Sequence, residues 1–327
     1  MTRIPYRPAL LAASLAVAVV AGLTACGADS TDDAAGGGPK RTVDTAMGEV
    51  RVPETPARVV VLDTAELDSA ITLGVRPVGA TRADVASGFL NYLPKDKVKG
   101  ITDVGAIGSP SLEKIASLKP DLILTNKERD ASRFGELSAI APTVMTESTG
   151  YPWKRNFLTH ATALGRTAEA RKVVADYTAH ARRVTAAVGG PARAAKTEVN
   201  VVRFVEGADI RIYGKKNYIA TVLADAGLGR PPVTDKARDG FSYDVSPERI
   251  DQADADAIFT STYGDPKKSK ATRTTSSGLW KNMNAVRAGA SFTVDDQLWI
   301  QGIGYTAAHQ ILDELQRDLT RGAPRAD

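Results

Sequence analysis

The sequence predicts an α/β protein built as two similar lobes that a long helix joins. Strand and helix patterns alternate along the chain, one segment recurs in both halves, and an amphipathic helix lies between the two copies. The chain has 327 residues, of which 43% are hydrophobic and 24% charged. That composition is typical of a folded protein, and the length suits about two domains.

The N-terminus has the pattern of a secretory signal. Arg3 and Arg7 precede an apolar run over residues 9–23, which is too short to span a bilayer, and Leu23-Thr24-Ala25-Cys26 resembles a bacterial lipobox. We therefore predict a signal peptide over residues 1–25, a lipidated Cys26 and a Gly-rich flexible tether over residues 26–40. This places the protein, lipid-anchored, on the outer face of the cytoplasmic membrane.

The N-terminal α/β lobe is predicted over residues 41–155. A continuous β-branched run at 58–62 indicates a buried strand, and a helix begins at Thr64. A short strand follows at 78–80. A second helix over 111–119 ends before Pro120 and leads into a strand over 121–125. This alternation favours a parallel sheet.

A second copy of that helix–strand unit predicts the second lobe. Residues 111–125 (SLEKIASLKPDLILT) align without a gap on residues 246–260 (SPERIDQADADAIFT). Between the copies, apolar side chains recur at helical spacing from Val173 to Val188 and stop at Gly189. We predict an interlobe helical segment over 156–190 and a C-terminal α/β lobe over 191–327.

These stretches, together with Leu279-Trp-Lys-Asn-Met-Asn and residues 297–312 (QLWIQGIGYTAAHQIL), resemble the substrate-binding lipoproteins of iron–siderophore and vitamin B12 ABC importers. The resemblance implies two Rossmann-like lobes of the bilobal periplasmic-binding-protein type, joined by a long rigid helix. It also implies a ligand held in the cleft between them, an ABC permease as partner, and no catalysis. Glu113 and Glu248 match the acidic residues with which the family docks to its permease. The alternative explanation is structural, because the helix dipole stabilises an acidic residue in the first turn of a helix.

Composition narrows the ligand chemistry. The net charge is only +4, which argues against a nucleic-acid partner. With one cysteine and three histidines, the chain has few side chains that could form a metal centre. We expect a monomer with no cofactor and no metal ligands of its own. Iron, on this view, arrives already chelated as a ferric siderophore.

Aromatic walls and a few polar donors suit such a chelate. We expect the polar ones among residues at strand ends and in one buried strand, and the aromatic ones mostly in connections. The candidate ligand-binding residues are Arg82, Asn126, Arg129, Trp153, Arg203, Tyr213, Tyr218, Phe241, Tyr243, Trp280 and Trp299. An ion pair of Arg203 with Asp209 or Glu206 is an equally good interpretation.

The near-neutral charge and the tryptophan-bearing segments favour a hydroxamate siderophore, ferrioxamine-like, over a strongly anionic catecholate. Cobalamin or haem is the alternative within the same class. A different class, an extracytoplasmic serine acyl-enzyme, stays open because Ser111-Leu-Glu-Lys114 matches a Ser-x-x-Lys motif, although no Lys-Thr-Gly accompanies it.

Overall fold

A computed structural model describes residues 38–321. In it the protein has two central β-sheets and a separate β-hairpin. In chain order the strands are β1 (Lys40–Thr45), β2 (Gly48–Pro53), β3 (Val59–Val61), β4 (Gly79–Arg82), β5 (Thr102–Ala106), β6 (Ser109–Pro110), β7 (Leu122–Asn126), β8 (Thr143–Thr146), β9 (Val199–Val205), β10 (Ile210–Tyr213), β11 (Ser242–Val245), β12 (Ala257–Tyr263) and β13 (Ser291–Thr293). The signal peptide, Cys26 and most of the predicted tether lie outside the described residues.

The two sheets have different topologies. The N-terminal sheet has the order β6-β5-β4-β3-β7-β8 and is parallel except for the β5–β6 pair. The C-terminal sheet has the order β11-β10-β9-β12-β13, with β9, β12 and β13 parallel and β10 antiparallel to both of its neighbours. Strands β1 and β2 form a separate antiparallel hairpin.

The helices flank these sheets. They are α1 (Thr64–Thr72), α2 (Lys95–Val98), α3 (Leu112–Ser117), α4 (Lys127–Asp130), α5 (Phe134–Ile140), α6 (Trp153–Leu164), α7 (Thr167–Ala187), α8 (Pro191–Ala194), α9 (Tyr218–Asp225), α10 (Ala271–Thr275), α11 (Gly278–Lys281), α12 (Asn284–Arg287) and α13 (Tyr305–Leu319). Short 3₁₀ segments cover Ala131–Arg133, Pro232–Lys236 and Pro247–Ala253, and a π-helical turn covers Gln297–Gln301.

Local sequence signals account for the helix starts. The Asp63 carboxylate caps α1, and the Ser111 and Asn217 side chains cap α3 and α9. Helix α7 has 21 residues and is therefore about 32 Å long at ~1.5 Å per residue, as the apolar spacing predicts. The left-handed conformation of Gly165 (φ 69°) separates it from α6.

The second copy of the repeat differs from the expectation in its helix. Residues Pro247–Ala253 form a 3₁₀ segment with a non-helical backbone at Arg249, whereas the first copy forms the α-helix α3. Aspartates at 251 and 254 are poor helix formers that compete for backbone hydrogen bonds, which limits the segment to short turns. The strand that follows, β12, forms as predicted.

A shared core joins the lobes. One continuous cluster of buried apolar side chains extends from Val61 in the N-terminal sheet to Phe259 in the C-terminal sheet. At its centre the ring of Trp153 packs edge-on against the rings of Tyr177, Tyr218 and Tyr305, with centroids 5.8, 5.2 and 4.6 Å away. The lobes are therefore connected through packed aromatic contacts, which resist bending.

Candidate functional site

A cleft of about 610 Å³ opens between the two lobes. The N-terminal lobe contributes the residues after β7 and the segment that enters α6, and the C-terminal lobe contributes β9, β10, the loop after β10 and the π-helical turn. Its lining residues are Glu128, Arg129, Ser148, Thr149, Gly150, Tyr151, Pro152, Arg155, Arg203, Arg211, Tyr213, Lys216, Asn217, Tyr218, Ile219, Phe241, Trp299, Ile300 and Ile303.

Positive charge predominates in this cleft. Five basic side chains line it, namely Arg129, Arg155, Arg203, Arg211 and Lys216, against the single carboxylate of Glu128. Arg129, Arg203 and Arg211 are ion-paired with aspartates behind or beside the lining. Arg155 and Lys216 make no ion pair among the described residues, so the cleft keeps a surplus of positive charge. The low-dielectric walls of a cleft focus the field of such unpaired charges.

Strand pairing explains why two of the arginines are neighbours. Arg203 in β9 lies opposite Arg211 in β10, and Arg211 in turn lies opposite Asp244 in β11. Side chains directly opposite across an antiparallel pair share a face, so both guanidinium groups are on the cleft side. Like charges in that position repel, and the aspartates offset the repulsion: Arg211 Nε donates to Asp244 Oδ1 at 3.2 Å.

The partner of Arg203 is Asp296, not Asp209 or Glu206 as the sequence suggests. Arg203 Nε donates to Asp296 Oδ1 at 2.7 Å, and Nη2 donates to Oδ2 at 2.6 Å. Burial by itself lowers the pKa of Arg203, but the hydrogen bonds to Asp296 outweigh it and raise the pKa overall. The guanidinium thus stays charged.

Arg129 has a similar arrangement in the other lobe. Its Nε donates to Oδ2 of the buried Asp63 at 2.8 Å, while Asn126 Nδ2 donates to the same oxygen at 3.2 Å. Asn126 itself is fully buried beneath the cleft. It therefore supports Arg129 rather than reaching a ligand, which corrects its placement among the ligand contacts.

The aromatic lining is partly exposed and partly buried. Phe241 is 43% exposed and Tyr151 53% exposed, and both rings stand at the cleft surface. Tyr213, Tyr218 and Trp299 lie beneath that surface; the Trp299 ring stacks on Phe259 with a centroid separation of 4.6 Å. Exposed aromatic and cationic side chains thus line the same cleft.

The structure brings six of the predicted ligand-binding residues to one cleft: Arg129, Arg203, Tyr213, Tyr218, Phe241 and Trp299. Besides Asn126, four others lie elsewhere, and they are Arg82, Trp153, Tyr243 and Trp280. Arg82 pairs with Asp103 at 2.7 Å. Trp153 and Trp280 are core residues, 2% and 5% exposed, and Tyr243 packs against the apolar core of the C-terminal lobe.

Trp153 and Trp280 were predicted wrongly because a tryptophan next to a turn can pack into the core as readily as it can line a cleft. Trp153 begins helix α6, and its indole N–H donates to Thr221 Oγ1 at 2.7 Å. Conversely, Arg155, Lys216 and Tyr151 line the cleft although no sequence pattern indicated them. Only Arg211 had a usable signal, because it alternates with buried Ile210 and Ile212 and shares the face of Tyr213.

Several other candidate groups are structural or exposed. His160 is fully buried, with Nδ1 3.0 Å from Ser69 Oγ, and burial lowers its pKa to about 3. Ser111 Oγ accepts from the backbone N–H of Lys114 at 3.3 Å, as a helix cap does. Glu113 and Glu248 are both exposed at the surface.

Residues 38–321 contain neither a cluster of metal-ligating side chains nor a membrane-spanning helix. None of the His, Cys, Asp and Glu side chains described there form a group of three or more that could hold a metal ion. Within the same range, no helix combines the length and apolar character that crossing a lipid bilayer requires.

Two α/β lobes with a shared core and a polar, aromatic-walled cleft between them define a bilobal solute-binding protein. Residues 59–298 match the family model of the periplasmic binding proteins, and the chain belongs to this family. The relatives are binding proteins rather than enzymes, which confirms the prediction of a non-enzyme and removes the acyl-enzyme alternative.

Several similar proteins have names that refer to siderophores or to ferric citrate. The chain is 37% identical over 84% of its length to the probable siderophore-binding lipoprotein YfiY of Bacillus subtilis, covering 86% of that protein. It is 28% identical to the Fe(3+)-citrate-binding protein YfmC of B. subtilis, with 93% of this chain and 97% of that one aligned. Staphylococcus aureus SirA complexed with staphyloferrin B superposes with a TM-score of 0.75 and 31% identity, covering 85% of this chain and 98% of SirA. These comparisons confirm the siderophore-binding lipoprotein family that the sequence resembles.

Proposed function

We propose that this protein is an extracytoplasmic receptor that captures a ferric siderophore and delivers it to an ABC permease for iron uptake. The observation that carries the proposal is the interlobe cleft, in which basic side chains from both lobes converge beside exposed aromatic rings. A ferric chelate presents oxygen-rich and apolar surface together, and this lining complements both. The iron needs no protein ligand because the chelator already saturates it.

The charge of the cleft favours an anionic chelate. The lining carries five basic groups and one acidic group, and three of the basic groups are paired with aspartates, so the formal charge of the site is 5 − 1 − 3 = +1. Of the five, Arg155 and Lys216 are exposed and make no ion pair among the described residues. The hydroxamate prediction rested on the charge of the whole chain, which does not report the charge of one cleft, and on the tryptophan-bearing segments, whose three indole rings are buried. We therefore infer a carboxylate- or catecholate-type chelate as the first candidate.

The names of the relatives support both chelate classes. The B. subtilis relative named for Fe(3+)-citrate and the one named for iron(3+)-hydroxamate are each 28% identical to this chain, over 93% and 87% of its length. The hydroxamate prediction, ferrioxamine-like, therefore stays as the second candidate and is included in the test.

A titration of the purified mature protein decides between them. Binding of ferric citrate, ferric enterobactin, ferrioxamine B, ferrichrome, haem and cobalamin is measured calorimetrically at low and at high salt. We expect an anionic chelate to bind most tightly and to lose affinity as salt rises. A salt-independent preference for ferrioxamine B would overturn the charge argument and leave the receptor intact. Binding of haem or cobalamin alone would overturn the siderophore assignment.

Delivery requires docking to the permease, and we propose that Glu113 and Glu248 provide it, one from each copy of the repeat. Both carboxylates are exposed and lie outside the cleft. Glu113→Lys and Glu248→Lys should leave chelate affinity unchanged and lower iron uptake by cells, because the charge reversal repels a basic partner. Glu136→Lys, a reversal at another exposed helical site, is the matched control and should lower neither. Unchanged uptake in both variants would remove these residues from the docking surface.

The anchor is the last part of the proposal. Cys26 lies outside the described residues, and its lipidation rests on the lipobox and on the names of the lipoprotein relatives. Replacing it by serine should release the protein from the membrane into the medium while chelate binding persists. Retention of the Cys26→Ser protein on washed membranes would contradict the anchor. The monomer prediction is checked by light scattering of the soluble form.

A further inference from the structure

Each lobe contributes one cleft arginine that a buried aspartate holds in place. In the N-terminal lobe Asp63 accepts from Arg129, and in the C-terminal lobe Asp296 accepts from Arg203. Both aspartates are nearly inaccessible, with 3% and 7% exposure. An aspartate so buried does not meet the ligand directly, so its role concerns the arginine.

The C-terminal pair is the more completely fixed of the two. Asp296 receives both the Nε and the Nη2 hydrogens of Arg203, at 2.7 and 2.6 Å. It also accepts from Ser261 Oγ at 2.9 Å and from Gln301 Nε2 at 2.9 Å. Because these donors come from β9, β12 and the π-helical turn, the carboxylate is held from three elements of the lobe.

One face of the same guanidinium is covered as well. The Tyr263 ring lies with its centroid 4.8 Å from the Arg203 carbon Cζ. With the Nε–Nη2 edge bound to Asp296, one face against Tyr263 and Tyr213 also beside it, the guanidinium is held in one orientation. Arg203 still lines the cleft, and Nη1 is the end that Asp296 leaves unbound. An arginine fixed in this way loses little side-chain entropy when an anion binds.

We propose that Asp296 is a positioning residue for ligand binding: it fixes the guanidinium of Arg203 so that the Nη1 end meets an anionic oxygen of the chelate. This inference rests on the proposed function, because it requires a ligand with anionic oxygen donors in the cleft. Asp63 holds Arg129 in the corresponding way.

Two effects of Asp296→Asn have opposite signs, which makes the test sharp. Removal of a negative charge next to the cleft strengthens anion binding by Coulomb attraction alone. In contrast, an amide replaces one acceptor oxygen with an N–H that faces an N–H of Arg203, so the bidentate pair is lost and the guanidinium can rotate. If positioning dominates, affinity falls although the cleft becomes more positive.

The experiment is a double-mutant cycle with ferric citrate as the probe, or with the tightest anionic chelate of the panel. It uses wild type, Asp296→Asn, Arg203→Gln and the double variant, each checked for folding by circular dichroism and thermal unfolding. We expect Asp296→Asn to weaken binding about tenfold in the wild-type background and less than about twofold in the Arg203→Gln background. The matched control is Asp295→Asn, which removes the neighbouring exposed carboxylate that accepts from Asn91, not from Arg203. It should weaken binding less than about twofold.

Two results would overturn the inference. Asp296→Asn could bind as tightly as wild type or more tightly, in which case charge outweighs position. Alternatively, Asp296→Asn could lower the affinity by the same factor in the wild-type and Arg203→Gln backgrounds, in which case Asp296 only stabilises the lobe.

A second measurement does not need a ligand. The Arg203 Nε–H should give a slowly exchanging ¹⁵N-coupled NMR signal in wild type that Asp296→Asn abolishes, and persistence of the signal would overturn the positioning role. Absence of binding by any wild-type titration would instead reject the proposed function, while this signal still decides whether Asp296 fixes the arginine.

Discussion

The carboxyl group of Glu66 gives the most specific prediction about stability. Glu66 is 1% exposed on helix α1, and burial, reinforced by the nearby Asp63 carboxylate, raises its pKa from 4.5 to about 8. Its Oε1 accepts from Asn126 Nδ2 at 3.3 Å and lies 3.7 Å from His160 Nε2. The folded protein thus keeps a neutral carboxylic acid here at neutral pH.

The proton bound to Glu66 makes the stability of the folded protein depend on pH. Between pH 4.5 and about pH 8 the native state holds a proton on Glu66 that the unfolded chain has released, so this group's contribution to stability falls as pH rises through that window. With a native pKa of about 8, the loss from about pH 6 to about pH 9 is roughly 3 kcal/mol. The contribution is fully present below pH 4.5 and is lost above the native pKa.

Glu66→Gln isolates this contribution. Glutamine has nearly the same shape, keeps an oxygen acceptor for Asn126, and does not titrate. We expect the variant to match wild type below about pH 4.5, to be more stable than wild type by roughly 2 kcal/mol near pH 6, and to gain roughly 3 kcal/mol more by about pH 9. Urea unfolding followed by circular dichroism at several pH values gives the difference. Titratable groups far from Glu66 contribute equally in both proteins and cancel in that difference.

The matched control is Glu136→Gln, the same substitution at an exposed position of α5. Its stability difference from wild type should not change with pH over the same range. If the difference between Glu66→Gln and wild type also stays constant between about pH 6 and about pH 9, then Glu66 is ionised in the native protein and the reasoning from burial is wrong.

Three further predictions concern the cleft and one tight turn. Lys216→Gln should weaken binding of an anionic chelate a few-fold at low salt and have little effect at high salt, because its charge is exposed and screened. Phe241→Ala should weaken binding of every chelate about tenfold, because the Phe241 ring is 43% exposed at the cleft and its removal takes away apolar area that a bound chelate would cover. Gly304→Ala should lower the free energy of unfolding by about 2–4 kcal/mol in a urea titration, because a Cβ there would collide with the Asp68 side chain.

The predictions for Lys216→Gln and Phe241→Ala each have a control substitution outside the cleft. Lys215 is exposed, pairs with Asp235 at 2.5 Å and does not line the cleft, so Lys215→Gln should leave affinity and its salt dependence unchanged. Leu279 is 44% exposed outside the cleft, and Leu279→Ala should not weaken binding. Equal losses in Lys215→Gln and Lys216→Gln, or in Leu279→Ala and Phe241→Ala, would show that the cleft boundary is drawn wrongly. A Gly304→Ala protein as stable as wild type would contradict the steric argument.

Much of the secondary structure was readable from the sequence because it is locally encoded. The caps at Asp63 and Ser111, the apolar stripe of α7 and the β-branched run of β3 need only neighbours within a few residues. The repeated helix–strand unit correctly indicated a second sheet. Its helix was predicted wrongly where aspartates at 251 and 254 reduce helix formation.

The cleft was only half predictable. Arg129 and Arg203 were found because a charge at a strand end or inside a buried strand needs a partner or a ligand. Trp153 and Trp280 were misplaced, since an aromatic ring beside a turn packs inward or outward according to what lies across from it. The sequence also carried no indication that Arg155 and Lys216 approach the same space from different lobes.

The sequence by itself determined the leader pattern, the alternation of strands and helices, the duplicated unit and the family. Each of these depends on residue type and short spacing. The tertiary structure alone decided the charge of the cleft, the pairing of Arg203 with Asp296, and the neutral state of Glu66. These depend on groups that are distant in the chain but separated by a few ångströms in the fold, and electrostatic energies are set by that distance and by burial.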